Sequence, residues 1–248
     1  NDGNGNDAGH VRIYEYSSGS WTQLGADIDG EAAGDYSGSV SLSSDGSTVA
    51  IGALKNDGNG NDAGHVRIYE YSSGSWTQLG ADIDGEASMD ASGFSVSLSS
   101  DGTRVAIGAT VNDGNGNNAG HVRIYEYSSG SWTQLGADID GEASMDASGF
   151  SVSLSSDGST VAIGARYNDG NGNDAGHARI YEYSSGSWTQ LGVDIDGEAA
   201  GDESGFSVSL SSDGTRVAIG ATGNDGNGND AGHVRIYEYS SGSWTQLG

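Results

Sequence analysis

The chain has no cysteine and no proline. Without cysteine there is neither a disulfide framework nor a thiolate metal site. Without proline, every turn falls to Gly, Ser, Asn and Asp, and 44 glycines are available for the purpose. Basic residues are scarce. Nine Lys and Arg stand against 35 Asp and Glu, for a net charge of −26. Nucleic acid and anionic membrane surfaces repel such a chain, whereas divalent cations, salt or a basic partner suit it. No run of 18 apolar residues exists to span a membrane as a helix, and no Asn-x-Ser/Thr sequon occurs. The sequence opens on Asn1 with no secretory leader, which reads as a mature product or a piece of a longer array. No helical periodicity is found anywhere. Hydrophobic residues make up only 34% of the chain, but their regular spacing argues for a packed protein rather than a disordered one.

What is present is repetition. A 25-residue phrase, NDGNGNDAGHVRIYEYSSGSWTQLG, begins at Asn1, Asn56, Asn112, Asn168 and Asn224. Four versions of a second phrase, such as ADIDGEASMDASGFSVSLSSDGTRVAIGA, lie between the copies. The period is about 56 residues, the mark of a modular architecture. The units are 1–55, 56–111, 112–167 and 168–223, with a half-unit at 224–248.

Each unit reads as four short strands. Residues 65–71 are β-branched and aromatic, and Ser72-Ser73-Gly74-Ser75 is a turn. Residues 76–80 form a second strand continuing toward Ile83. Residues 94–98 alternate, placing Phe94, Val96 and Leu98 on one face. Asp101-Gly102 is a hairpin turn, and residues 104–109 return. The expected fold is all-β: a β-propeller-type array of four-stranded antiparallel blades. Eighteen strands make four blades with two strands left over, or a five-bladed ring with one blade incomplete. The first unit is one residue short, with Gly38 followed directly by Ser39. The missing residue belongs at the strand's entrance, because a slip inside the strand would turn it inside out.

GDESGFSVSLSSDGTRVAIGAT, the Gly-rich loop after it and HVRIYEY resemble FG-GAP repeats, the blade-forming repeats of the integrin α-subunit propeller. The resemblance covers the whole chain. It implies blades and an extracellular or cell-surface setting. It departs from the family where Ser92-Gly93 replaces Phe-Gly, where the Pro after Gly-Ala is missing, and where SSDG replaces the family's calcium loop.

Several constellations recur in every unit. The DGNGND loop alternates oxygen-bearing side chains around glycine, as tight calcium loops do. Its candidate calcium ligands are Asp2, Asn4 and Asp7; Asp57, Asn59 and Asp62; Asp113 and Asn115; Asp169, Asn171 and Asp174; and Asp225, Asn227 and Asp230. Asn118 replaces the acid in one copy. The competing reading is an Asx-turn loop. Asp82-Ile83-Asp84-Gly85-Glu86, repeated from Asp27, Asp138 and Asp194, offers a second acidic cluster or a solvated rim. His10, His65, His121, His177 and His233 open a strand each, as ligands or as strand-edge residues. Trp21, Trp76, Trp132, Trp188 and Trp244 stack on sugars or pack between blades. No catalytic motif is present. The sequence thus points to a non-catalytic extracellular structural or adhesive protein, associating head to tail with copies of itself through incomplete terminal half-blades. The alternative is a multivalent carbohydrate-binding lectin with one site per blade.

Overall fold

The computed structural model describes residues 4–248, which contain strands and turns and no helix. Four antiparallel sheets follow one another. The first runs Ser37–Leu42, Thr48–Ala53, His65–Ser72, Ser75–Gln78, and the others repeat that order from Ser92, Ser151 and Ser204. Ahead of them stands a two-stranded piece, Tyr14–Ser17 with Ser20–Gln23. There are thus five blade positions, the first filled by that outer pair and by a short pair, His10–Val11 with Ile28–Asp29. Each sheet joins the second phrase of one unit to the first phrase of the next, so the blades are offset by half a unit from the sequence repeats.

The turns follow from local chemistry. Asp101 Oδ1 accepts hydrogen bonds from the Thr103 amide at 3.0 Å and the Ser99 hydroxyl at 2.7 Å, and Gly102 takes φ of 71°. Ser73 and Gly74 both have positive φ, the geometry of a two-residue hairpin turn whose twist matches that of its strands. Ile83–Asp84 does not continue the preceding strand as the sequence suggested. It is a separate short strand paired antiparallel to His65–Val66.

The inner strand also differs from the alternation reading. Ser92 pairs with Ala109 and Ser95 with Gly108, so Gly93 and Phe94 are extruded as a bulge. Val96 and Leu98 enter the core, while Phe94 stacks on Phe150, and Phe150 on Phe206, with ring centres 4.9 and 5.2 Å apart. In the first four-stranded sheet the bulge is one residue shorter, between Ser37 and Ser39. The deletion therefore sits at the strand's entrance and the register beyond it is kept.

The core lies in the seams between blades. Val66, Ile68 and Ile83 of one blade pack with Val96, Leu98, Val105 and Ile107 of the next. Main-chain and side-chain bonds cross each seam. Ser100 N–H donates to Ser156 O at 2.8 Å, Leu154 N–H to Ser97 Oγ at 2.9 Å, and Trp132 Nε1–H to Leu79 O at 2.7 Å. Where a seam has no further blade, identical residues are uncovered. Val122 is fully buried, but Val234 in the last blade is 66% exposed. Trp21 in the first is 68% exposed.

Candidate functional site

The DGNGND loops are closed by bonds of their own. Asn56 Oδ1 accepts from Gly58 N–H at 2.8 Å, and Asp57 Oδ1 from Asp62 N–H at 2.8 Å. Asn59 Nδ2 donates to Gly85 O at 2.8 Å. Asp113, Asp169 and Asp225 repeat the aspartate's bond, to Asn118, Asp174 and Asp230. Asn4, Asn115 and Asn171 repeat the asparagine's. Asp7 and Asp62 take the left-handed conformation an Asx-turn loop uses. Asp2 lies outside the described residues, and Asn227 occupies the matching loop position of the last copy.

A second set of groups converges on three of the seams. Glu31, His65 and Asp82 bring one ligand atom each within 4.8 Å of one another. So do Glu86, His121 and Asp138, and Glu142, His177 and Asp194. The glutamate comes from the loop after the earlier blade. The histidine and aspartate flank the outer hairpin of the later one. The acidic phrase therefore does not act as one cluster, since Asp82 serves one seam and Glu86 the next. Asp90 takes no part: it is buried and accepts from Asn112 Nδ2 and Ala87 N–H.

The imidazoles are 1% exposed. His177 Nδ1 stands 3.8 Å from Glu142 and 3.9 Å from Asp194, beyond hydrogen-bond reach. Neither of its ring nitrogens has a hydrogen-bond partner. Burial pulls this imidazole down to about 4, with Arg179 adding to the effect against Asp194 and Asp146. Burial lowers His65 and His121 as well, and it pushes the Glu142 carboxyl up. The carboxylates are oriented from behind. Gln134 and Gln190 donate to the Oδ1 atoms of Asp138 and Asp194, both at 2.6 Å, leaving Oδ2 toward the histidine. Arg67, Arg123 and Arg179 face the other glutamate oxygen at 3.7, 3.5 and 3.7 Å. Each also donates to a main-chain carbonyl, of Asp29, Asp84 or Asp140. Arg67 donates further to the Tyr69 hydroxyl at 2.7 Å.

These triads have the donor set of a site that can hold a metal ion. The carboxylates are partly exposed, so the site opens to solvent. Beside it each seam has a hollow, of about 290, 260 and 210 Å³ in chain order. The middle one is lined by Asp82, Asp84, Tyr125 and Trp132. Asp82 lines this hollow but belongs to the triad of the preceding seam. Trp76, Trp132, Trp188 and Trp244 serve as seam packing, their indole N–H groups spent on leucine carbonyls of the preceding blade.

No family model and no curated protein matches the chain. Solved structures do. A candidate 6-phosphogluconolactonase from Bacteroides uniformis superposes with a TM-score of 0.63 at 11% identity, over 96% of this chain and 64% of that one. A second, from Bacteroides fragilis, gives 0.63 at 13%, over 96% and 63%. The periplasmic gluconolactonase of Pseudomonas aeruginosa gives 0.61 at 14%, over 96% and 62%. The chain thus spans just under two thirds of their length. At these identities the likeness establishes the β-propeller fold.

The same comparisons correct three expectations. The FG-GAP resemblance is not upheld: no family model supports it, and lactonase-type propellers are among those that superpose. The pattern of strand, Asp-Gly turn and Ile-Gly-Ala is what any short blade hairpin needs, and it does not single out one family. The non-catalytic structural and adhesive role falls with it, and so does the expectation that the chain is not an enzyme. The neighbours carry the names of lactone-cleaving enzymes on the same fold. The lectin alternative gains no support either.

Proposed function

We propose that this chain is a propeller hydrolase acting on a small, uncharged sugar lactone, with its working groups at the Glu–His–Asp seams. The observation that carries the reading is a buried imidazole set between two carboxylates and beside an arginine, three times over, with neither ring nitrogen of His177 hydrogen-bonded. Such a point holds a water, whose proton passes to a flanking carboxylate. The Tyr69 hydroxyl accepts from Arg67, so its own O–H is free to donate to a lactone carbonyl in the hollow. Addition of the water oxygen to that carbonyl and cleavage of the ring C–O bond, with the proton passing to the leaving alkoxide, gives the open hydroxy acid. The names of the superposing propellers suggest the substrate class. Hollows of this volume suit one sugar ring rather than a chain. A net charge of −26 disfavours a phosphorylated substrate.

The test is hydrolysis of glucono-δ-lactone, measured against the spontaneous rate. Three equivalent seams act additively. His121→Gln therefore retains about two thirds of the activity, and the triple change of His65, His121 and His177 to Gln none. An activity indistinguishable from buffer, or one untouched by the triple change, overturns the reading. Calcium in the DGNGND loops, expected from the alternating oxygens, is proposed separately as a structural ion.

A further inference from the structure

We infer that each complete seam binds one divalent cation of the zinc or manganese class, held by Glu31, His65 and Asp82, by Glu86, His121 and Asp138, and by Glu142, His177 and Asp194. This deepens the hydrolytic reading by naming what activates the water.

The spacing is the first ground. Nδ1 lies 3.8–4.0 Å from both carboxylates in all three seams. Metal bonds of about 2.0–2.2 Å place neighbouring ligands roughly 3–3.5 Å apart. A contraction of about half an ångström closes the set around an ion, and the half-exposed carboxylate side chains are free to make it. The second ground is the imidazole itself. His177 is almost wholly buried, yet both ring nitrogens lack partners. A buried polar atom left unbonded is costly, and a cation at Nδ1 removes the share of that cost that falls on Nδ1. The third is the support behind the ligands. The Gln bond to Oδ1 and the Arg contact to the far glutamate oxygen fix which atoms face inward, as outer partners of metal ligands do.

The donor set selects the ion. One imidazole nitrogen and two carboxylates suit zinc or manganese with water completing the sphere. Calcium demands six to eight oxygens. Arginine beside the glutamate lowers affinity without removing the ligand, since it faces the other oxygen. Among the described residues the set is complete three times. Glu198 and His233 meet at 3.7 Å in the last blade, but no aspartate follows them within the chain to fill the place of Asp82.

The experiment is equilibrium dialysis of the full chain, stripped with chelator, against Zn²⁺ or Mn²⁺, with bound metal counted by mass spectrometry. Three ions per chain are expected, two in His121→Gln and none specifically held in the triple His→Gln variant. Circular dichroism checks that the variants keep their sheet. If the triple variant is poorly folded, Asp82→Asn, Asp138→Asn and Asp194→Asn together make the same test from the exposed side. Zinc retained undiminished by both triple variants overturns the inference, because it places the ions on the general acidic surface. Calcium retained while zinc is lost supports it. Lactone hydrolysis is scored separately. Three bound ions with no hydrolysis keep the metal site and end the hydrolase reading. Hydrolysis that survives chelation, with no metal bound, does the reverse.

Discussion

Ile124 and Ile236 occupy the same place in the same local sequence, HVRIYEYS. Strand propensity, turn chemistry and cross-strand pairing are therefore matched between them. Only the neighbouring blade differs: Ile124 is 1% exposed and Ile236 is 45% exposed. Replacing Ile124 by Ala removes carbon atoms worth about 0.8 kcal/mol each. It also leaves a cavity between Val161 and Ile163 of the next blade, so the expected loss is roughly 3–4 kcal/mol within the usual range for such changes. At Ile236 much of the side chain already meets water and no closed cavity forms, so the loss stays under about 1 kcal/mol. The assay is urea unfolding, with hydrogen exchange to show which blades loosen. In a linear array the central change uncouples the two sides, while the terminal one frays only the end. Equal losses at the two positions refute this reasoning. They would mean that the terminal face is covered in solution, and a dependence of the midpoint on protein concentration would identify a second copy as the cover.

Four further outcomes follow from the seams. Gly108→Ala drives a methyl group into the Gly149 carbonyl of the next blade, whereas Gly220 meets only its own strand neighbour Ser207. The first change costs about 2 kcal/mol or more and the second far less, read by the same unfolding assay. Trp132→Phe loses the bond to Leu79 O and about 1 kcal/mol; Trp21→Phe, at an exposed end, leaves the midpoint unchanged. Metal-free protein loses stability as pH falls. His65, His121 and His177 are neutral when folded, with values depressed by burial from the usual 6.5 and about 4 for His177. Below 6.5 the unfolded chain takes up protons that the folded one does not, so stability declines from pH 6.5 toward 4. The triple His→Gln variant flattens that part of a melting-temperature profile, and Asp45 and Asp213, each held to about 2 by bonds from Ser47 and Ser211, mark a second decline below pH 4. Saturating Zn²⁺ raises the melting temperature of the wild type and not of the triple variant.

The blades were legible because their signals are local. A β-branched run, a Ser-Gly or Asp-Gly turn and an alternating strand each fall within about ten residues, and repetition supplies five readings of the same phrase. The bulge at Phe94 was not legible, since a Gly-Phe pair in an alternating strand looks like two ordinary positions until its partner strand is known.

The seam centres illustrate a deeper limit. His65 draws Asp82 from the same unit and Glu31 from the unit before. Read along the chain, Glu31 belongs with Asp27 and Asp29, which makes a solvated acidic rim the natural reading. Only stacking breaks each acidic phrase in two, sending its aspartate back to one histidine and its glutamate forward to the next. The histidine, taken for a strand-edge residue, becomes the hinge of that division. A repeat protein thus builds its sites between copies, where every participant looks structural within its own unit. Near-identity of the copies, which counts against a single unique catalytic centre, is no argument against three equal ones. Additivity of single-seam variants is the measurement that tells the two cases apart.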